Sequence, residues 1–230
     1  MISHHYRCIF IHIPKCAGTS IEHALGHFDG HEGRSGQDHR SIRMIQQPGL
    51  GPEVFYNTEN IKDYIRRIRE NFRSHANPNN GLTLTRQQYQ DYFKFTVVRN
   101  PWDRAYSWYK NAMRDPIHQK NYKIDPSLNF GQFMRKHAGT GFLRPQTYWL
   151  KDFKGNIPMD YVIKFETLAA EFNVICKQLG IPEMPLPHKI ESNKHEKDSP
   201  IDDATIDFIA DYYAEEIALF NFSQDKFKQS

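Results

Sequence analysis

Cysteine is scarce in this chain: among 230 residues only Cys8, Cys16 and Cys176 carry a thiol. An odd, scattered set without C-x-x-C spacing makes neither a disulfide framework nor a structural zinc site, and it suits a reducing compartment such as the cytoplasm. A dominant charge is missing too. Thirty Lys and Arg face 27 Asp and Glu, a net +3 with His neutral. That surplus is too small to point to nucleic acid or an anionic membrane as a partner. Long apolar runs are also lacking. The longest, around Cys8 to Ile13, is far shorter than a membrane span needs. No basic segment followed by an apolar stretch opens the sequence, so no secretory leader is expected. Repeats and linker-like stretches are absent, and the expectation is a single domain over residues 1–230.

What is present is enough apolar material for a core, 39% hydrophobic and 13% aromatic, with patterns that alternate strand and helix. "YRCIFIHI" (6–13) is β-branched and apolar and ends at Pro14, the pattern of a buried parallel strand. "GTSIEHALGHF" (18–28) follows as a helix, with Ile21, Ala24 and Leu25 on one face. "YFKFTVV" (92–98) and "DYVIKF" (160–165) are further strands, leading into helices over 102–113 and 167–180. Helices are also predicted near 41–45, over 60–72 with Ile61, Tyr64, Ile65, Ile68 and Phe72 as the apolar face, over 127–137, and over 201–220 as one long element. Residues 182–200 read as a loop. Repeated strand–loop–helix units predict an α/β fold, P-loop-like and three-layered. A central parallel sheet is flanked by helices, and ligands bind at the carboxyl ends of the strands.

The loop between the first strand and helix, "PKCAGTS" (14–20), looks like a phosphate loop with its lysine early. A Walker A loop puts lysine after the last glycine, whereas Lys15 precedes Gly18. Pro14 ends the strand, Gly18 lets the backbone turn closely, and Thr19 and Ser20 open the helix. First-turn N–H groups have no intrahelical partner and favour an anion; Lys15 adds a full charge. The alternative is a capped helix with Lys15 merely solvated. A second stretch, "VVRNPWDRAYSWY" (97–109), has the same place after a strand. Arg99 stands at the strand end, where a guanidinium takes phosphate in bidentate fashion, and Ser107 follows two helical turns later. Against this, Arg99 pairs with a carboxylate such as Asp103 and Ser107 is packed. Trp102, Tyr106, Trp108 and Tyr109 read as packing residues.

These residues resemble a known family. Pro14 to Ser20 looks like the 5′-phosphosulfate loop of sulfotransferases, and Val98-Arg99-Asn100-Pro101 with Arg104 and Ser107 looks like their 3′-phosphate motif. "RPQTYWL" (144–150), "IKFETL" (163–168) and "LPH" (186–188) occur in the family's order, so the likeness runs from about residue 7 to 222. It is closest to the carbohydrate sulfotransferases of the Golgi and their soluble bacterial relatives. The resemblance implies 3′-phosphoadenosine 5′-phosphosulfate (PAPS) as donor, 3′,5′-ADP as product, and no metal. It implies contacts to the donor from Lys15, Cys16, Ala17, Gly18, Thr19, Ser20, Arg99 and Ser107, with Lys15 also catalytic.

An acceptor hydroxyl needs a general base, and twelve histidines compete for the role. His39, in "DHRSIRMI", is the first candidate; His12 and His188 remain alternatives. His12, Arg144 and Gln146 are expected around the acceptor, a small molecule or oligosaccharide. Tyr148 and Trp149 either stack on a sugar or pack, and Ser192 and Asn193 match the family only loosely. Two other functions stay open: a P-loop kinase, disfavoured by the lysine order, and a catalytically silent nucleotide-binding protein on the same fold. Acceptor identity and oligomeric state are not written in the sequence.

Overall fold

Cys8, Ile9, Phe10 and Ile11 are all fully enclosed, as an apolar run without alternation requires of a strand buried on both faces. They form β2 (Cys8–Ile11), beside a two-residue strand β1 (Ile2–Ser3). The computed structural model describes residues 1–33, 35–46, 51–184, 186 and 201–224. Two further strands, β3 (Phe93–Val98) and β4 (Tyr161–Lys164), complete a four-stranded sheet in the order β1-β2-β3-β4. β2, β3 and β4 are parallel, with Phe10 opposite Phe95 and Phe95 opposite Tyr161; β1 is antiparallel to β2. The fold is therefore α/β, a mostly parallel sheet flanked by helices. The antiparallel edge was not predicted, because two residues carry no periodicity.

The helices in chain order are α1 (Gly18–Ala24), α2 (Ile42–Ile45), α3 (Thr58–Glu70), α4 (Arg86–Asp91), α5 (Pro101–Arg114) and α6 (Pro116–Tyr122). Then come α7 (Phe130–His137), α8 (Gln146–Leu150), α9 (Leu168–Leu179), α10 (Asp203–Tyr212) and α11 (Ala214–Leu219). The chain divides into two units, residues 1–98 with 147–189, and residues 99–146 with 190–230. The first holds the whole sheet. Thr96, buried in its middle, satisfies its hydroxyl by donating to the Ile11 carbonyl at 2.8 Å. The second has its own aromatic core of Trp102, Trp108, Phe130, Phe133, Ile206 and Tyr213. There the Trp102 indole N–H donates to the Ile206 carbonyl at 3.0 Å, so Trp102 and Trp108 pack as expected.

Two helices depart from their sequence patterns. α3 turns its polar side inward: Asn60 and Asp63 are buried, while Ile61, Ile65, Ile68 and Phe72 are exposed. The cause is a buried hydrogen-bond network. Asp63 accepts from Arg43 Nε at 2.9 Å, from the Ser41 hydroxyl at 3.1 Å and from the Tyr148 hydroxyl at 2.8 Å. Asn60 Nδ2 donates to the carbonyls of Glu53 and Phe153 at 2.7 and 2.8 Å. The predicted long helix over 201–220 is interrupted at Tyr213, whose hydroxyl donates to the Leu143 carbonyl at 2.6 Å. Most of the predicted 182–200 loop, with His188, Ser192 and Asn193, lies outside the described residues.

Candidate functional site

In the first unit the chain leaves β2 through His12, Ile13 and Pro14, all buried, and turns into α1. Lys15 and Ala17 both take left-handed backbone conformations, with φ of 68° and 60°. For residues with a Cβ this costs about 1–3 kcal/mol each and persists only where the surroundings enforce it. Lys15 and Ala17 are half-buried and Cys16 is enclosed, so Cys16 presents its backbone, not its thiol. Gly18 is demanded by a close approach: a Cβ there would lie 2.1 Å from the His12 ring. No side chain caps α1 and no acidic residue occupies its first turn. The Ser20 N–H is engaged within the turn, donating to the Ala17 carbonyl at 3.1 Å. Within seven residues the loop carries an ammonium, two hydroxyls and backbone N–H groups, donor types suited to a phosphate.

Beneath the loop is a buried cluster that spacing alone did not reveal in full. His12 is 2% exposed; its Nδ1 lies 3.0 Å from Glu22 Oε1. Glu22 Oε1 also accepts from the Asp38 N–H at 3.0 Å. Burial pushes the Glu22 carboxyl up, but the charge and hydrogen bond of His12 and the N-terminal ammonium outweigh it and hold it below the usual value. Asp38 is also buried, yet Arg40, in a two-pronged pair with it, and the N-terminal ammonium hold it well below the ordinary range. The His39 ring lies 4.3 Å from that of His12, and its Nδ1 is 3.2 Å from the His12 carbonyl. A carbonyl only accepts, so Nδ1 carries the proton and Nε2 the lone pair. Burial, and then the neighbouring His12, pull the His39 pKa down to about 3. The ring is therefore neutral near pH 7. His12, Gly18 and His39 meet in one place, and Glu22 and Asp38 join them.

In the second unit Arg99 is the residue directly after β3, and Ser107 lies on α5; both are half-buried. Asn100 caps α5, accepting from the Trp102 N–H at 3.1 Å. Gln146, expected at the acceptor, is instead fully enclosed. Its Oε1 accepts from the Arg99 N–H at 2.8 Å and its Nε2 donates to the Arg99 carbonyl at 2.9 Å. Nε2 also donates to Glu216 Oε1 at 2.9 Å, and the Gln146 N–H donates to Glu216 Oε2. Arg104, part of the resembled motif, is 1% exposed and donates to the carbonyls of Phe142 and Arg144 at 2.9 and 2.7 Å, so it braces the backbone. Arg144 itself is half-buried. Sequence reasoning missed Glu216, which looked like one acid among several on the last amphipathic helix.

Cys8, Cys16 and Cys176 are all free and buried, and burial pushes the Cys8 thiol up to about 12. Among the described residues no group of three or more His, Cys, Asp or Glu is arranged to hold a metal ion. No helix among them is long and apolar enough to cross a membrane.

Comparison with known proteins adds three findings. No curated protein matches the chain. The crystal structure of a sulfotransferase from Alicyclobacillus acidocaldarius is similar at 17% identity and a TM-score of 0.43, covering 96% of this chain and 98% of that one. The model of the sulfotransferase family matches residues 1–223. With nearly its whole length matched, the chain belongs to the sulfotransferase family, whose chemistry is sulfuryl transfer.

Proposed function

We propose that this protein transfers a sulfuryl group from PAPS to a hydroxyl of a carbohydrate or related acceptor, by in-line displacement at sulfur. The donor supplies a sulfuryl group on a 5′-phosphate leaving group, and its 3′-phosphate separates it from ATP. The observation that carries this reading is the Pro14–Ser20 loop: Lys15 and Ala17 held at positive φ, Gly18 flush against His12, and no acidic residue at the start of α1.

The roles follow from charge. Lys15 neutralises the negative charge that develops on the bridging oxygen, assisted by backbone N–H groups of residues 16–19 and the hydroxyls of Thr19 and Ser20. Arg99 and Ser107 hold the 3′-phosphate; among the described residues the Ser107 hydroxyl has no hydrogen-bond partner of its own. His39 is the general base, accepting the acceptor's proton at Nε2. A nearby anion raises the proton affinity of an imidazole, which opposes the lowering by burial. His12 and Glu22 hold that ring and the loop in place, since both are enclosed. Arg144 meets the acceptor, and Gln146 acts through Arg99. We further assign one working domain to residues 1–230, a cytoplasmic location consistent with three free thiols, and a small-molecule or oligosaccharide acceptor.

Lys15→Ala tests the reading. Labelled-sulfate turnover should fall by about 10²–10³-fold, the scale of losing one preorganised charge donor, with circular dichroism and melting temperature preserved. Near-normal turnover in the variant would remove Lys15 from the chemistry.

A further inference from the structure

The parallel ladder of β3 ends at Val98, paired with Lys164. Arg99 lies one residue beyond, where strand pairing no longer fixes its backbone. A single side chain, Gln146, takes over by bonding both the N–H and the carbonyl of Arg99. The two groups belong to different peptide planes, so one amide fixes the chain on both sides of the Arg99 Cα. The amide is itself fixed. The remaining Nε2 hydrogen and the Gln146 N–H each go to one oxygen of the Glu216 carboxylate. Reversing the amide would set donor against donor at the Arg99 N–H and acceptor against acceptor at Glu216. Gln146 and Glu216 are both 0% exposed, and the Arg104 guanidinium supplies the opposing charge. Burying a carboxylate is costly unless its oxygens are engaged and a charge balances it. Burial raises the Glu216 carboxyl above its ordinary value, and the Arg104 charge and the two Gln146 hydrogen bonds offset that only in part, so the carboxylate depends on these partners.

We propose that Gln146 and Glu216 are positioning residues for Arg99. They fix the backbone from which its guanidinium reaches the 3′-phosphate, and so set the discrimination between nucleotides with and without that group. The proposal rests on the assignment of Arg99 under Proposed function. A structural role alone would alter stability and leave nucleotide discrimination untouched, so the ratio of two affinities separates them.

Isothermal titration with 3′,5′-ADP and with adenosine 5′-phosphate measures that ratio. Gln146→Met keeps the volume and removes both bonds to Arg99; Glu216→Gln keeps the shape and sets an amide donor against Gln146. In each variant the preference for 3′,5′-ADP should fall about tenfold or more, the size of effect a small misplacement produces, while affinity for adenosine 5′-phosphate stays within about twofold. In an Arg99→Ala background Gln146→Met should change the ratio no further, because the two act as one unit. If Gln146→Met fails to fold, Glu216→Gln carries the comparison. Folded variants that keep the wild-type ratio overturn the inference and leave the assignment of Arg99 standing. A wild-type protein without preference for 3′,5′-ADP overturns that assignment itself.

Discussion

His39 sits among His12, Glu22 and Asp38, and its pKa is lowered from 6.5 to about 3 by burial and by His12. The sign of the resulting pH dependence is fixed by linkage. Between the two values the unfolded chain binds a proton at this position and the folded chain does not, so folding stability falls as pH drops. Urea unfolding of the wild type should show a decline from pH 7 to pH 5, and His39→Gln should make that decline shallower. Identical slopes would mean that His39 is not held neutral by its surroundings. At this scale the sequence was legible where a residue type has few other uses in its place. Lys15 and Gly18 in a loop after a strand, and Arg99 at a strand end, are such residues. Glu22 and Glu216 were not legible, since their partners lie 10 and 70 residues away and a helical glutamate is ordinarily solvated.

Strands and most helices fell close to their predicted limits because period and punctuation agree: β-branched runs ending at Pro14 or at Arg99-Asn100-Pro101, and Gly180 stopping α9 at a φ of 67°. The element expected over 201–220 is the exception in extent, and α3 keeps its limits but not its expected buried face. Its isoleucines repeat at helical spacing, and by period alone they belong in a core. The polar face is buried instead, since Asp63 and Asn60 complete hydrogen bonds that Arg43, Ser41, Tyr148 and two backbone carbonyls would otherwise lack. Periodicity reports which residues share a face; it does not say which face turns inward when a polar network competes. Chemical denaturation tests this directly. Asp63→Ala should cost about 3–5 kcal/mol, the scale of breaking a buried ion pair, whereas Ile68→Lys should stay within about 0.5 kcal/mol. The reverse order would restore the isoleucine face to the interior.

At the scale of the whole molecule, the alternation of strands and helices predicted an α/β fold and the two spaced anion motifs predicted the family that the match over residues 1–223 shows. The acceptor was not legible, because its recognition depends on side chains drawn from irregular segments whose placement no period encodes. The central claim concerns the donor, and it is that the 3′-phosphate is recognised. Thermal unfolding with 3′,5′-ADP and with ADP, at equal concentrations, tests it most directly. At about 100 times its dissociation constant a ligand adds about 2.7 kcal/mol, which for a chain of this size is a rise of about 5–10 °C. The account predicts such a rise with 3′,5′-ADP and a clearly smaller one with ADP; equal stabilisation by the two, or none by either, would contradict it.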